Sequence, residues 1–172
     1  MREAPAATTG GSRIMPKIDT AKAQTVKGSR YPKPFDEPCA GRSLVLLAAA
    51  GGLTQFGVNL TTLAPGAWAS QRHWHEREDE FVYVLTGELV LVEDDGETLL
   101  KPGDSAAWKA GVRNGHHLVN RTARDATFLI VGTRDMGDWG EYPDIDLKFN
   151  PGRYDRKPGT ASAFSHKDGK PY

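Results

Sequence analysis

At 172 residues the chain is long enough for one domain around a single hydrophobic core and too short for two of ordinary size. Its 22 basic and 22 acidic residues cancel, so no net field draws it to DNA, RNA or an anionic membrane surface. The one cysteine, Cys39, excludes an intrachain disulfide and a cysteine-based zinc cluster; it reads as a small buried apolar residue and suits a reducing cytoplasm.

In chain order, residues 1–15 carry no periodicity and are expected to form a disordered extension, with Met15 a candidate natural start. No long apolar region follows Arg2, so no secretory signal is expected. Residues 16–42 hold four prolines and many charges and predict an extended arm. The most apolar run, LVLLAAAGGL at 44–53, is broken by two glycines and far shorter than the ~20 residues of a membrane span. Between residues 43 and 134 the texture changes. Nine short segments rich in β-branched, aliphatic and aromatic residues follow one another: SLVLLAA, TQFGVNLTTL, AWASQRHW, EFVYVLT, ELVLVE, ETLL, SAAWK, HHLVN and ATFLIVGT. Turn sequences separate them, among them APG at 64–66, TGE at 86–88, DDG at 94–96 and KPGD at 101–104. Such spacing, with no long amphipathic helix, predicts an all-β antiparallel sandwich or barrel. Residues 135–172 are rich in proline and glycine but carry Trp139, Tyr142, Ile145, Leu147 and Phe149, more large apolar groups than a disordered tail needs. An irregular segment packed on the barrel or on a partner subunit is the expectation.

Four of the five histidines fall in two clusters, RHWHEREDE at 72–80 and GHHLVN at 115–120. Strand residues two apart share a face, so His73 and His75 point the same way, and Glu80 opens the next strand beside them. His116 is offered from the second cluster, with His117 on the opposite face. Three imidazoles and one carboxylate suit a divalent transition metal, which would also neutralise Glu80. Polar strand edges in solvent are the competing reading; that reading fits His166 in the tail, but not a same-face pair with a glutamate and a distant histidine.

The same residues carry a family resemblance. His73, His75, Glu80 and Gly87, with Gly66 upstream, are similar to the first motif of the cupins, and Gly103, Gly111, His116 and Asn120 to the second. Two departures are Lys109 where proline is usual and four residues rather than two between Gly111 and His116. The chain therefore resembles a single-domain cupin, which implies an antiparallel double-stranded β-helix (jelly roll) with the metal at the mouth of its barrel. NGHHLVNRT, YPDIDL and FSHKDGKPY also resemble a group of short bacterial cupins labelled sugar-phosphate-isomerase-like. By strand neighbourhood Trp68, Arg72, Tyr83, Trp108 and Asn120 are candidate pocket walls, with core packing the competing reading for each aromatic.

The resemblance implies a metal-dependent enzyme acting on a small oxygenated metabolite, with Fe, Mn, Ni, Zn or Cu as metal. Dioxygenase or lyase (decarboxylase) chemistry is favoured by the complete ligand set. A sugar or sugar-phosphate isomerase is the first alternative, and a non-enzymatic ligand-binding or sensor module the second. No nucleic-acid or membrane partner is expected. A homodimer that buries part of residues 16–60, and possibly the tail, is.

Overall fold

Alternating apolar residues and glycine turns produce short antiparallel strands throughout the computed structural model, which describes residues 17–154 and 162–172. The expected extension 1–15 and the candidate start at Met15 lie outside the described residues. In order come β1 (Thr25–Lys27), β2 (Arg42–Leu46), α1 (Leu47–Ala50), β3 (Phe56–Leu63), β4 (Glu80–Thr86), β5 (Leu89–Glu93), β6 (Gly96–Leu100) and β7 (Ser105–Trp108). They are followed by β8 (His117–Val119), β9 (Ala126–Thr133), β10 (Gly140–Tyr142), β11 (Leu147–Phe149) and β12 (Phe164–Ser165). Among the described residues no helix is long and apolar enough to cross a membrane.

The strands form a six-stranded sheet ordered β1-β2-β3-β9-β4-β7 and a three-stranded sheet ordered β6-β5-β8, facing each other as the two sides of a jelly roll. Their inner faces meet in a core of Leu63, Val82, Val84, Leu89, Leu91, Leu100, Trp108, Leu118, Ala126 and Phe128. Register fixes which side chains enter it. Along β4, Glu80, Val82 and Val84 point inward while Phe81, Tyr83 and Leu85 point out. Gly87 turns β4 into β5 at φ +74°, where a Cβ would lie 2.7 Å from the Ala126 backbone, so only glycine fits.

Three expectations are corrected. The segment AWASQRHW (67–74) is not a strand: it touches its neighbours through single bridges at Trp68↔Val119 and His73↔His116 and otherwise turns. Its backbone donors are satisfied one by one instead, Trp68 N by Pro38 O (2.9 Å) and Ala69 N by Leu118 O (2.8 Å). The apolar run after β2 breaks into the single helical turn α1, whose alanines favour helix. The tail is not wholly irregular: β10, β11 and β12 form a small antiparallel sheet. Its Tyr142, Leu147 and Phe149 are buried against Tyr31 and Phe35 of the N-terminal arm. Arm and tail thus meet over one end of the barrel.

Candidate metal centre

His73 sits in a reciprocal backbone bridge with His116, His73 N to His116 O at 3.2 Å and His116 N to His73 O at 2.9 Å, which ties the two histidine clusters together. Glu80, first residue of β4, reaches the same point. Its Oε2 lies 3.4 Å from His75 Nε2 and 3.9 Å from Nε2 of both His73 and His116. The other nitrogen of each ring has an acceptor: His73 Nδ1 faces Gln71 O at 2.9 Å, His116 Nδ1 faces Asn114 O at 3.2 Å, and His75 Nδ1 faces Asp138 Oδ2 at 2.8 Å. An imidazole that donates its Nδ1 proton to such a partner presents a bare lone pair at Nε2. Three lone pairs therefore surround the Glu80 carboxylate, those of His73 and His75 within 4.8 Å of it and of each other. His116 Nε2 is buried and has no hydrogen-bond partner among the described residues. Orphaned buried nitrogens are rare, and one facing the Glu80 carboxylate beside two further imidazoles fits a metal ligand.

An aromatic ring holds each imidazole. Trp108 stacks on His116 with centroids 3.9 Å apart and planes 5° from parallel, Tyr142 stacks on His73 at 5.7 Å, and Phe149 lies 5.0 Å from His75. Trp108 is fixed in turn by an Nε1–H bond to Glu93 Oε1 at 2.8 Å. Burial, then the charge of His75, drives His73 well below its ordinary pKa, keeping it neutral as metal binding requires. Burial would raise Glu80, but the neighbouring imidazoles of His116 and His75 outweigh it and hold the carboxyl well below the usual range.

Behind His75 lies a polar cluster that sequence reasoning missed. Asp138, fully buried, accepts from His75 Nδ1 through Oδ2 and from the Arg77 amide through Oδ1 at 2.8 Å. Arg153 from the tail pairs Asp138 Oδ2 at 3.1 Å and also Glu78, whose Oε2 accepts from Tyr154 OH at 2.7 Å. His75, Glu78 and Asp138 also form a second group with metal-ligand chemistry, but the Arg153 guanidinium already supplies that group with a cation. Burial alone would raise the Asp138 carboxyl; the hydrogen bond and charge of His75, followed by the Arg77 amide and Arg153, bring it below its ordinary value. No local pattern marks Asp138 or Arg153. The only hint was the excess of aromatics in the tail, two of which, Tyr142 and Phe149, support ligand rings.

A cavity of about 500 Å³ opens onto the cluster, its wall including Tyr31, Arg42, Val82, Ile130, Tyr142 and Arg153. Of the five wall candidates read from sequence, Trp108 lines this cavity and the other four lie elsewhere. Trp68 packs edge-on against His117. Arg72 is held outside by carboxylates, Asp94 and Asp144, the latter through a two-pronged bond at 2.6 and 2.8 Å. Tyr83 is on the outward face of β4, 40% exposed. Asn120 is buried but ties a turn, its Nδ2 donating to Leu63 O at 2.8 Å and Arg124 O at 2.7 Å. His117, expected to face away from the ligands, bonds Ser70 O at 2.9 Å through Nδ1, and its residue also borders the cavity.

Residues 59–132 match the family model described as the cupin domain. The crystal structure of a sugar phosphate isomerase from a cupin superfamily, from Silicibacter pomeroyi DSS-3, is 46% identical, with a TM-score of 0.81 over 91% of this chain and 96% of that one. A putative sugar phosphate isomerase from Acidithiobacillus ferrooxidans ATCC 23270 is 26% identical, with a TM-score of 0.65 over 74% of this chain and 81% of the other. A polyketide cyclase from Streptomyces resistomycificus, 22% identical with a TM-score of 0.56 over 70% of this chain and 80% of the other, shares the fold. No curated protein sequence matches. Nearly end-to-end likeness at 46% identity, over a jelly roll whose two histidine clusters meet in space, makes the chain a member of the cupin superfamily.

Proposed function

We propose that this cupin is a metal-dependent isomerase of a small, anionic, oxygenated metabolite, bound in the cavity beside His73, His75, Glu80 and His116. The observation that carries the metal reading is the buried Nε2 of His116, without a hydrogen-bond partner among the described residues and 3.9 Å from Glu80, beside the close group of His73, His75 and Glu80. The isomerase reading is supported by the name of the Silicibacter pomeroyi structure at 46% identity. When bound, a divalent ion supplies Lewis acidity to a substrate carbonyl or hydroxyl.

The chain's own residues divide the remaining work. Trp108, Tyr142 and Phe149 keep the imidazoles in place, so the site is preorganised. Tyr31 and Tyr142 line the cavity, and their phenols, neutral at physiological pH like any tyrosine, offer polar hydroxyls to substrate oxygens. Arg42 borders the cavity and among the described residues bonds to the neutral carbonyls Gly28 O and Ala69 O, so its charge can meet an anionic substrate group. Val82, Phe128 and Ile130 form the apolar wall that limits water.

Oxygenase or lyase chemistry is the second reading, favoured by the complete three-histidine, one-glutamate set. Both are tested by loading the protein with single metals, screening aldose and ketose phosphates by NMR, and following oxygen uptake and carbon dioxide release with small keto acids. Aldose–ketose interconversion that His75→Ala abolishes is expected. Oxygen consumption or decarboxylation instead selects the second reading. Ligand binding without turnover of any substrate replaces both with a binding module.

A further inference from the structure

We propose that Asp138, in the loop after β9, is a positioning residue that makes His75 the strongest imidazole donor of the centre, with Arg153 of the tail holding the carboxylate in place. The inference rests on the metal reading above and adds to it residues outside both sequence motifs.

The three imidazoles are not equivalent. His73 and His116 give their Nδ1 protons to neutral backbone carbonyls, Gln71 O and Asn114 O, the second at a long 3.2 Å. His75 alone faces a carboxylate, at 2.8 Å. A charged acceptor makes the stronger hydrogen bond, fixes the ring more firmly and pushes electron density towards the far nitrogen, raising its basicity as a ligand. Nε2 of His75 is also the imidazole nitrogen nearest Glu80, at 3.4 Å against 3.9 Å for the others.

A fully buried carboxylate is costly unless its lone pairs are satisfied. Asp138 meets that condition with the Arg77 amide on Oδ1 and with His75 and Arg153 on Oδ2. Arg153 is itself seated over the Phe149 ring, 4.5 Å from its centroid, and bonded to Glu78 and Tyr154. Anchoring of the tail alone would need Arg153 and a carboxylate, and Glu78 already provides one. The bond from Asp138 to His75 is surplus to that role.

The test compares wild type with Asp138→Asn and Glu78→Gln, using Zn(II) and Co(II) as probes and chelator competition to read affinity. The carboxamide introduced by Asp138→Asn has one oxygen to serve three donors and no charge, so affinity should fall roughly 10–100-fold, as for other outer partners of metal-bound histidines. The Co(II) absorption bands should shift with it. Glu78→Gln weakens the tail's attachment equally directly but leaves the His75 bond, so its affinity should stay within a few-fold and its Co(II) spectrum unchanged. Equal losses in the two variants, or none in Asp138→Asn, overturn the proposal while leaving the metal reading intact; a wild type that binds neither ion overturns both. Should Asp138→Asn fail to fold, imidazole N–H resonances of the Zn(II)-loaded wild type decide: the His75 Nδ1 proton must lie downfield of those of His73 and His116, and coincidence of the three contradicts the proposal.

Discussion

His75 is held on three sides: a carboxylate on Nδ1, an aromatic ring beside it and Glu80 facing Nε2. Its replacement by alanine should reduce metal affinity beyond the ~10–100-fold typical of outer partners, measured by chelator competition; retention of wild-type affinity would count against its role. The tyrosines give a test that needs no metal. Tyr31 has its hydroxyl pushed up to about 12 by burial, from an ordinary 10.0. The unfolded chain loses this proton at lower pH than the folded one, so the contribution to stability is complete below pH 10 and is lost as the pH rises towards 12. Alkaline titration followed by tyrosinate absorbance should show a late-ionising fraction in wild type that Tyr31→Phe diminishes. The four proposed ligands were legible in the sequence because their spacing is local within each cluster. Asp138 was not: it meets His75 across 63 residues of chain, and nothing around it announces the partnership.

Among the elements, the central strands were readable because alternation has period two and glycine turns bound them. Segment 67–74 defeated that reasoning. It has the composition of a strand, but its neighbours reach it only through isolated bridges, and this irregular path is what brings both His73 and His75 to Glu80. The tail strands are two or three residues long, too short for any period to show. What docks them is close approach: a Cβ on Gly140 would sit 1.9 Å from Trp74 O and 2.6 Å from the Phe149 ring. Gly140→Ala must therefore displace β10 from the histidine segment. A cost of about 1–3 kcal/mol, the usual range for overpacking, is expected in chemical denaturation, together with weaker metal binding as Tyr142 and Phe149 shift. Unchanged stability would show that the contact yields without strain.

For the molecule as a whole, the outer face of the six-stranded sheet is unusual in being apolar. Phe56, Phe81, Tyr83 and Leu85 are each 38–40% exposed, beside the half-buried Val58, Leu60, Leu129 and Val131. The centre of this face carries no charged side chain, Lys27 lying at its β1 edge, so it offers no sign for an oppositely charged partner, and a second copy of itself is the complementary surface. A homodimer is predicted, about twice 18.8 kDa by light scattering, with Phe81→Arg giving a folded monomer. A monomeric wild type at micromolar concentration contradicts this. Part of the face, Phe56 to Leu60, falls within the 16–60 region expected from sequence to be buried. The barrel core of leucine, valine and phenylalanine needs no ion to assemble, so the metal-free protein should stay folded by circular dichroism at room temperature; cooperative unfolding on chelation would make the metal structural. Most direct is the metal stoichiometry of the purified protein, by elemental analysis after aerobic and anaerobic loading, beside His116→Ala. One divalent transition ion per chain in wild type and none in the variant is the predicted result. A wild type that retains no ion under either condition, or a variant that retains as much as wild type, would contradict it.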